Sequence, residues 1–490
     1  MNSFIAILSK KDRDVTLEAI EMIEALETKY SDRYATASAK RVIAEYTLEN
    51  LRKSHLGSSA VLGCSLSRPH VNDIIQPVKL RNATMVYDGK IYSDQATKIE
   101  EKFEPEKAHR HLEEAAADFI RENNGDYAFA LTDPETMVGG RDVMGTRPLY
   151  WGENQDFSAL ASNRKALWRI GIKKTNSFPT GSVATLGSEG FKFKIVRSIV
   201  YSQEKQVTKQ VATRKLERLL EWSVKQRLLG VKEIAVAFSG GLDSSIVALL
   251  ARNIGTEVLL IHVALEGEAE THFAKEVAEQ LKLPLCTRLC TERDVKRSIR
   301  EVIRIAEDYD PVKVSIGIPI YFVAEKAAGM SCELLLAGQG ADELFGGYKR
   351  YADEYVSQGN ECVQETIFHD IVHIGEANLE RDCKICKHFD IELRLPFATP
   401  EIADFAIKLP LELKMERKKN TLRKLILRQV ARNLKLPVDI VDRPKRAIQY
   451  STGVSKVVRK IVRQNRMTTT EYFGRIFKDI YRETESEKNH

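Results

Sequence analysis

The sequence predicts an α/β chain in two parts: a β-rich first 200 residues, then a parallel sheet wrapped by helices. Three observations predict it. Short apolar runs separated by Gly- and Pro-marked turns fill the first part. In the second, strand-like and helix-like segments alternate, the pattern of a parallel sheet covered on both faces. A polar stretch at 201–208 reads as the link between them.

Taken in order, strands are expected at 4–8, 84–87, 127–131 and 183–186, where β-branched and aromatic residues cluster. Helices are expected at 15–30 and 108–123 from apolar spacing. Gly139, Gly140, Gly145, Pro148 and the PTG at 179–181 mark turns. Beyond the link, 209–229 reads as a long amphipathic helix. Strands follow at 234–238, 257–264, 284–290 and 333–337, and helices at 244–253, 270–282, 293–308 and 318–328. The domains expected are 1–200 and 209–465, with a polar tail at 466–490.

Composition excludes several classes. With 43% hydrophobic and 29% charged residues the chain reads as globular, and a net charge of +6 over 490 residues makes no case for nucleic acid. The basic stretch KMERKK at 414–419 reads as a solvated helix start. No apolar run suits a membrane span, and no signal peptide is read. Seven cysteines without regular spacing argue against a disulfide framework, so a cytoplasmic setting is expected. Cys383 and Cys386 form a C-x-x-C near His369, His373 and His388. A zinc site can be drawn from these, but a helical surface with reduced thiols is preferred, since no second C-x-x-C completes a usual site.

The chemistry concentrates in two loops. At 236–251, VAFSGGLDSSIVALLA sets Ser239, Gly240, Gly241, Asp243, Ser244 and Ser245 between a strand and a helix. Glycines let a ligand approach the main chain, and the helix N-terminus favours an anion. An aspartate there fits if magnesium lies between it and phosphates. The G-x-x-x-x-G-K-[ST] spacing of a Walker loop is absent. At 334–348, LLLAGQGADELFGGY repeats the design, with Gly338, Gly340 and Asp342. Asp342 can join Asp243 on one magnesium, or serve only as charge at a helix N-terminus. In DRPKRAIQY at 442–450, Pro444 fixes the backbone beside Lys445. Composition alone reads this as a basic surface loop, although a fixed lysine also suits phosphoryl oxygens.

Together these residues resemble the asparagine synthetase family. SGGLDSS at 239–245 matches the family's motif, and GQGADELFGGY at 338–348 resembles its G-E-G-S-D-E-x-F-G-G-Y. NLERD at 378–382, ELRLPF at 392–397 and RPK at 443–445 resemble its R-D, E-x-R-x-P-F and lysine-loop segments. GDYAFA at 125–130, RDVMGTRPLY at 141–150, Ala161-Ser162 with KAL at 165–167, and PTG at 179–181 resemble its glutaminase domain. The resemblance implies an N-terminal-nucleophile-hydrolase-like αββα domain followed by a pyrophosphatase-loop ATP-binding domain. It implies ATP as substrate and Mg2+ on Asp243 and Asp342. Phe238, Val263 and Gly338 would flank the adenosine, and Lys445 would steady the separating phosphates. Gln339, Asp382, Glu392 and Arg394 are candidates for the acceptor pocket, with a structural ion pair the alternative for the last two.

Several positions depart from the family. Its glutaminases cut with a cysteine exposed by removal of Met1, whereas Asn2 stands here. The glutamine-holding N-G-E-I-Y reads DGKIY at 88–92, so Asp88 and Lys90 reverse the charges, and CSLSR at 64–68 is a poor match to R-x-[SA]-I-x-D. Gln339 replaces an acidic residue, and Arg446 begins a divergent continuation. The expected function is therefore an AMP-forming amide ligase acting on ATP, a carboxylate such as aspartate, and ammonia. A homodimer or a partner glutaminase is compatible with it. Another adenylating ligase or cyclase on this scaffold, or a non-catalytic ATP-binding regulator, are the rivals.

Overall fold

The computed structural model describes residues 2–67, 75–93, 98–103, 111–202, 207–418, 421–444 and 447–486. It divides into two compact units, Met1–Ser198 and Ile199–His490.

The first unit stacks two antiparallel sheets between helices. A seven-stranded sheet has Asn2–Ser9 near its centre, between Phe157–Ala161 and Ala60–Ser67. A six-stranded sheet centres on Met137–Arg141 and Gly125–Thr132. The strand Asn2–Ser9 is apolar on both sides because both sides are covered. Its Phe4 and Ala6 join the core between the sheets, while Ile5 and Ile7 join the core under helix Thr16–Leu26. Gly125–Thr132 sorts its side chains likewise. Ala128 and Ala130 face the first sheet, and Tyr127, Phe129 and Leu131 pack with helix Leu112–Glu122. This is the expected αββα layering. The helix expected at 15–30 stops at Leu26, because Glu27 is extended and the chain turns into strand Ser31–Ala37.

The second unit holds a five-stranded, wholly parallel sheet. Its spatial order is Leu285–Cys290, Glu257–Leu265, Glu233–Ala237, Leu334–Leu336, Glu392–Arg394. The first three strands in the chain run one way across the sheet, and the fourth returns to the other side of the first. Glu233–Ala237 and Leu334–Leu336 therefore flank a topological switch point, the crevice where such sheets bind ligands.

Three expectations need correction. The helix expected at 318–328 begins at Pro311, because Asp310 caps it by accepting from the amides of Val312 and Lys313; Pro319 lies inside it. The stretch at 414–418 begins no helix, and Lys419 lies outside the described residues. Lys414 is 3% exposed, and its carbonyl accepts from Leu425 N. Cys383 and Cys386 lie on helix Glu380–His388, on a buried face and not on a helical surface. Among the described residues no group of three or more His, Cys, Asp or Glu could hold a metal ion, and no helix is long and apolar enough to cross a membrane. The segment Thr469–Ser486 is a helix, and Tyr481 donates to the carbonyl of Arg304.

Candidate active site

The strand Glu233–Ala237 is followed by Phe238, and the chain turns through Ser239, Gly240 and Gly241 into helix Leu242–Asn253. Gly240 has φ +70, and a Cβ there would lie 3.2 Å from Ala274 Cα and from the Phe273 ring, so both conformation and space ask for glycine. No side chain caps the helix, which leaves its first amides for a ligand. Ser239 Oγ accepts from Gly241 N at 3.2 Å, and Ser244 Oγ donates to the Gly241 carbonyl at 3.2 Å. Ser245 Oγ is buried with no protein partner. The serines thus brace the loop without closing it.

The second loop lies against the first. A Cβ on Gly338 would stand 2.9 Å from Asp243 Cβ and 3.3 Å from Ser244 N. Only glycine admits this approach. Helix Ala341–Phe345 then carries Asp342 to the same place as Asp243. Lys424 joins them. Its Nζ is 2.7 Å from Asp243 Oδ2 and 2.6 Å from Asp342 Oδ1, and the residue is 2% exposed. Lys424 has φ +59, and Arg423 beside it donates to the Gly347 carbonyl at 2.9 Å. A side chain at Gly347 would meet Asp342 Oδ1 at 1.9 Å, so glycine keeps this corner open.

Sequence reasoning missed Lys424. Nothing local separates it from the other lysines at 414–424, and only the fold brings it to the two aspartates. Lys445 and Arg446 lie outside the described residues. The preceding Arg443 is anchored by Glu270 at 2.6 Å and by the Phe273 ring, 3.4 Å from its guanidinium carbon, on the helix that backs Gly240.

The remaining candidates fall into separate places. Phe238 and Val263 are buried, and the Phe238 carbonyl lies 3.0 Å from His262 Nδ1, where burial holds the imidazole below its usual range. Gln339 is half-buried in the second loop. Glu392 and Arg394 pair with each other at 2.8 Å on the fifth strand, and Arg394 also donates to the Arg227 carbonyl, an arrangement that ties the edge of the sheet. Asp382 pairs with Arg381 at 2.7 Å, both buried, and burial raises its carboxyl above the usual range. Glu343, next to Asp342, accepts from Tyr348 Oη at 2.5 Å and Asn378 Nδ2 at 2.8 Å. Burial and the neighbouring Asp342 raise its carboxyl.

Comparisons with known proteins bear on this arrangement. The asparagine synthase family model matches residues 215–361 and 355–490. A glutamine amidotransferase domain model matches residues 65–169. The putative asparagine synthetase [glutamine-hydrolyzing] 1 of Methanocaldococcus jannaschii is 30% identical over 392 residues, 70% of this chain and 72% of that protein. This chain belongs to the asparagine synthetase family. Asparagine synthetase B [glutamine-hydrolyzing] of Escherichia coli K12 is 27% identical over 417 residues, covering 79% of this chain and 74% of its own length. Among solved structures, a glutamine phosphoribosylpyrophosphate amidotransferase from B. subtilis covers 60% of this chain at 13% identity with a TM-score of 0.35, too low to carry an argument. As a member of the family the chain is a ligase of the asparagine synthetase kind.

Proposed function

We propose that this asparagine synthetase-family ligase turns over ATP to AMP and pyrophosphate, activates a carboxylate for which the aspartate side chain is the first candidate, and takes its nitrogen from ammonia. The observation that carries the reading is the convergence of Asp243, Asp342 and Lys424 beside the open helix N-terminus at the switch point.

ATP fits this crevice by its charge. The amides of the first helical turn, with the Ser239 and Ser245 hydroxyls, offer donors to the pyrophosphate oxygens, while Ser244 braces the loop through the Gly241 carbonyl. The two carboxylates are hard oxygen donors of the type magnesium takes, and that ion would offset the pyrophosphate charge when bound through them. The acceptor carboxylate oxygen attacks the α-phosphorus, the bond to the bridging oxygen of the β-phosphate breaks, and pyrophosphate leaves. Lys424 holds Asp243 and Asp342 in register and supplies positive charge to the departing group. Lys445 is assigned the same task by family resemblance. Ammonia then attacks the acyl carbon, AMP departs, and the ammonium nitrogen of the adduct loses a proton.

The ammonia reading rests on the first unit. Asn2 offers no nucleophile. Asp88 is buried and Lys90 exposed on the strand Thr84–Ile91, so a carboxylate occupies the position of the family's amide. Relatives named glutamine-hydrolyzing set the contrasting expectation.

Pyrophosphate–ATP exchange tests the assignment. Exchange that depends on an added carboxylate supports the ligase and names its acceptor. Tight ATP binding with no exchange for any carboxylate favours the regulator.

A further inference from the structure

Two exposed histidines stand one turn apart at the end of helix Asn360–Val372, and no step of the proposed reaction uses them. The rings of His369 and His373 stack, with centroids 4.1 Å apart and planes at 27°. His373 Nδ1 lies 2.8 Å from the His369 carbonyl. A carbonyl only accepts, so Nδ1 carries the hydrogen, and the neutral ring keeps its lone pair on Nε2. His369 Nδ1 faces Asp370 Oδ1 at 3.9 Å. Asp370 is itself fixed, because its Oδ2 accepts from Arg350 Nη2 and from Tyr351 Oη. Each ring therefore has an oxygen on its Nδ1 side. Among the described residues, no hydrogen bond or ion pair uses either Nε2.

Histidines at i and i+4 share one helix face, the spacing with which a helix grips a metal ion. A carbonyl or carboxylate at one ring nitrogen is the usual support for a histidine that ligates through the other. Two nitrogens on one zinc, each about 2.0–2.1 Å from it, stand at most about 4.2 Å apart, so rings stacked at 4.1 Å are within its span. Charge favours a cation here as well. The pair lies at the negative end of its helix dipole, and Glu365 and Glu376 are exposed one turn away on either side. If the pair served only as charge at a helix end, two cationic rings would repel at this spacing. Cys383 and Cys386 are buried on another helix, and among the described residues no third ligand completes a closed set.

We infer that His369 and His373 form a zinc site, with two imidazole nitrogens from the protein and water in the remaining positions. Imidazole suits zinc, copper and nickel, whereas the oxygens of Asp243 and Asp342 suit magnesium. The site is thus distinct from the nucleotide crevice and stands whether or not the ligase reading holds. The chain runs on from His373 into a π-helical turn, Gly375–Leu379, whose Asn378 donates to Glu343 beside Asp342. Zinc clamped across the last turn of the helix braces the start of that segment.

The test titrates the full chain, stripped of metal by a chelator, with Zn2+ in a calorimeter and with Cu2+ in electron paramagnetic resonance. Zn2+ should bind, and the melting temperature should rise with its concentration. Cu2+ should bind more tightly than Ni2+, and Ni2+ more tightly than Co2+, while excess Mg2+ should not compete. The copper spectrum should show coupling to two equatorial nitrogens. His369→Ala and His373→Ala should each weaken Zn2+ by more than about 10-fold and remove one nitrogen coupling, and Asp370→Asn should weaken it by about 10-fold with both couplings kept. Both histidines are exposed, so the alanine variants should fold, which circular dichroism checks. His55→Ala and Asp342→Asn should leave this site unchanged. Zn2+ affinity unaltered in both histidine variants would overturn the site, and so would a copper spectrum of the unaltered chain without two-nitrogen coupling.

Discussion

Lys424 sits between Asp243 and Asp342, its ammonium within 2.7 Å of one carboxylate and 2.6 Å of the other. The two acids come from loops almost 100 residues apart in sequence, and their repulsion in a partly buried corner is offset by this one cation.

Removing that cation should therefore affect both folding and rate. Lys424→Met should lower stability by about 3–5 kcal/mol, the usual cost of breaking a buried pair. It should also slow AMP formation by about 10²–10³, the size of one lost preorganised contact. Added magnesium should restore part of the melting temperature by meeting the same carboxylates. A melting temperature and turnover equal to those of the unaltered chain would remove Lys424 from the site.

Asp243→Asn and Asp342→Asn should each raise the magnesium concentration needed for half-maximal exchange and cut exchange severely. The pair shares one charge-bearing corner, so the double variant should lose little beyond either single one. Additive losses, read from rates against magnesium concentration, would separate the two residues.

Much of this site was legible because its syntax is local. An apolar strand, a glycine turn and a helix start follow one another directly at 234–249 and again at 334–345, and the sheet order brings the two together. The αββα layering followed from resemblance more than from periodicity. Strands covered on both faces, such as Asn2–Ser9, carry little alternation, and several short strands were passed over. Lys424 was illegible for a different reason: its role is set by a contact with residues 82 and 181 positions away, and a left-handed lysine before a helix has no sequence signature. The burial of Cys383, Cys386 and Lys414 was hidden in the same way, since packing by distant helices decides it.

Lys414 gives a pH prediction. Burial alone lowers its ammonium to about 7, against 10.5 for an ordinary lysine. Between those values the unfolded chain holds a proton that the folded chain has released, so stability rises with pH across about 7 to 10.5. Below 7 both states are charged and the folded state carries the full desolvation penalty. Lys414→Met should be more stable than the unaltered chain at pH 7, with the gap closing as pH rises toward 10. Denaturant midpoints measured at pH 7, 8.5 and 10 check this, and a constant gap would contradict it.

For nitrogen, ammonium should support amide formation, and glutamine alone should yield no glutamate. Asn2→Cys should not restore hydrolysis, because Asp88 and Lys90 remain in place of the amide and carboxylate of the family's glutamine segment. Steady glutamate release by the purified chain, followed in a coupled assay, would overturn this.

The central claim is that the corner made by Asp243, Asp342 and Lys424 serves attack of a carboxylate on the α-phosphorus. Oxygen-18 transfer tests it most directly. With L-aspartate labelled in its side-chain carboxylate, or with whichever acceptor supports exchange, the AMP formed should carry one labelled oxygen by mass spectrometry. Lys424→Met should form such AMP only slowly. Unlabelled AMP, or label appearing instead in inorganic phosphate alongside ADP, would contradict the account.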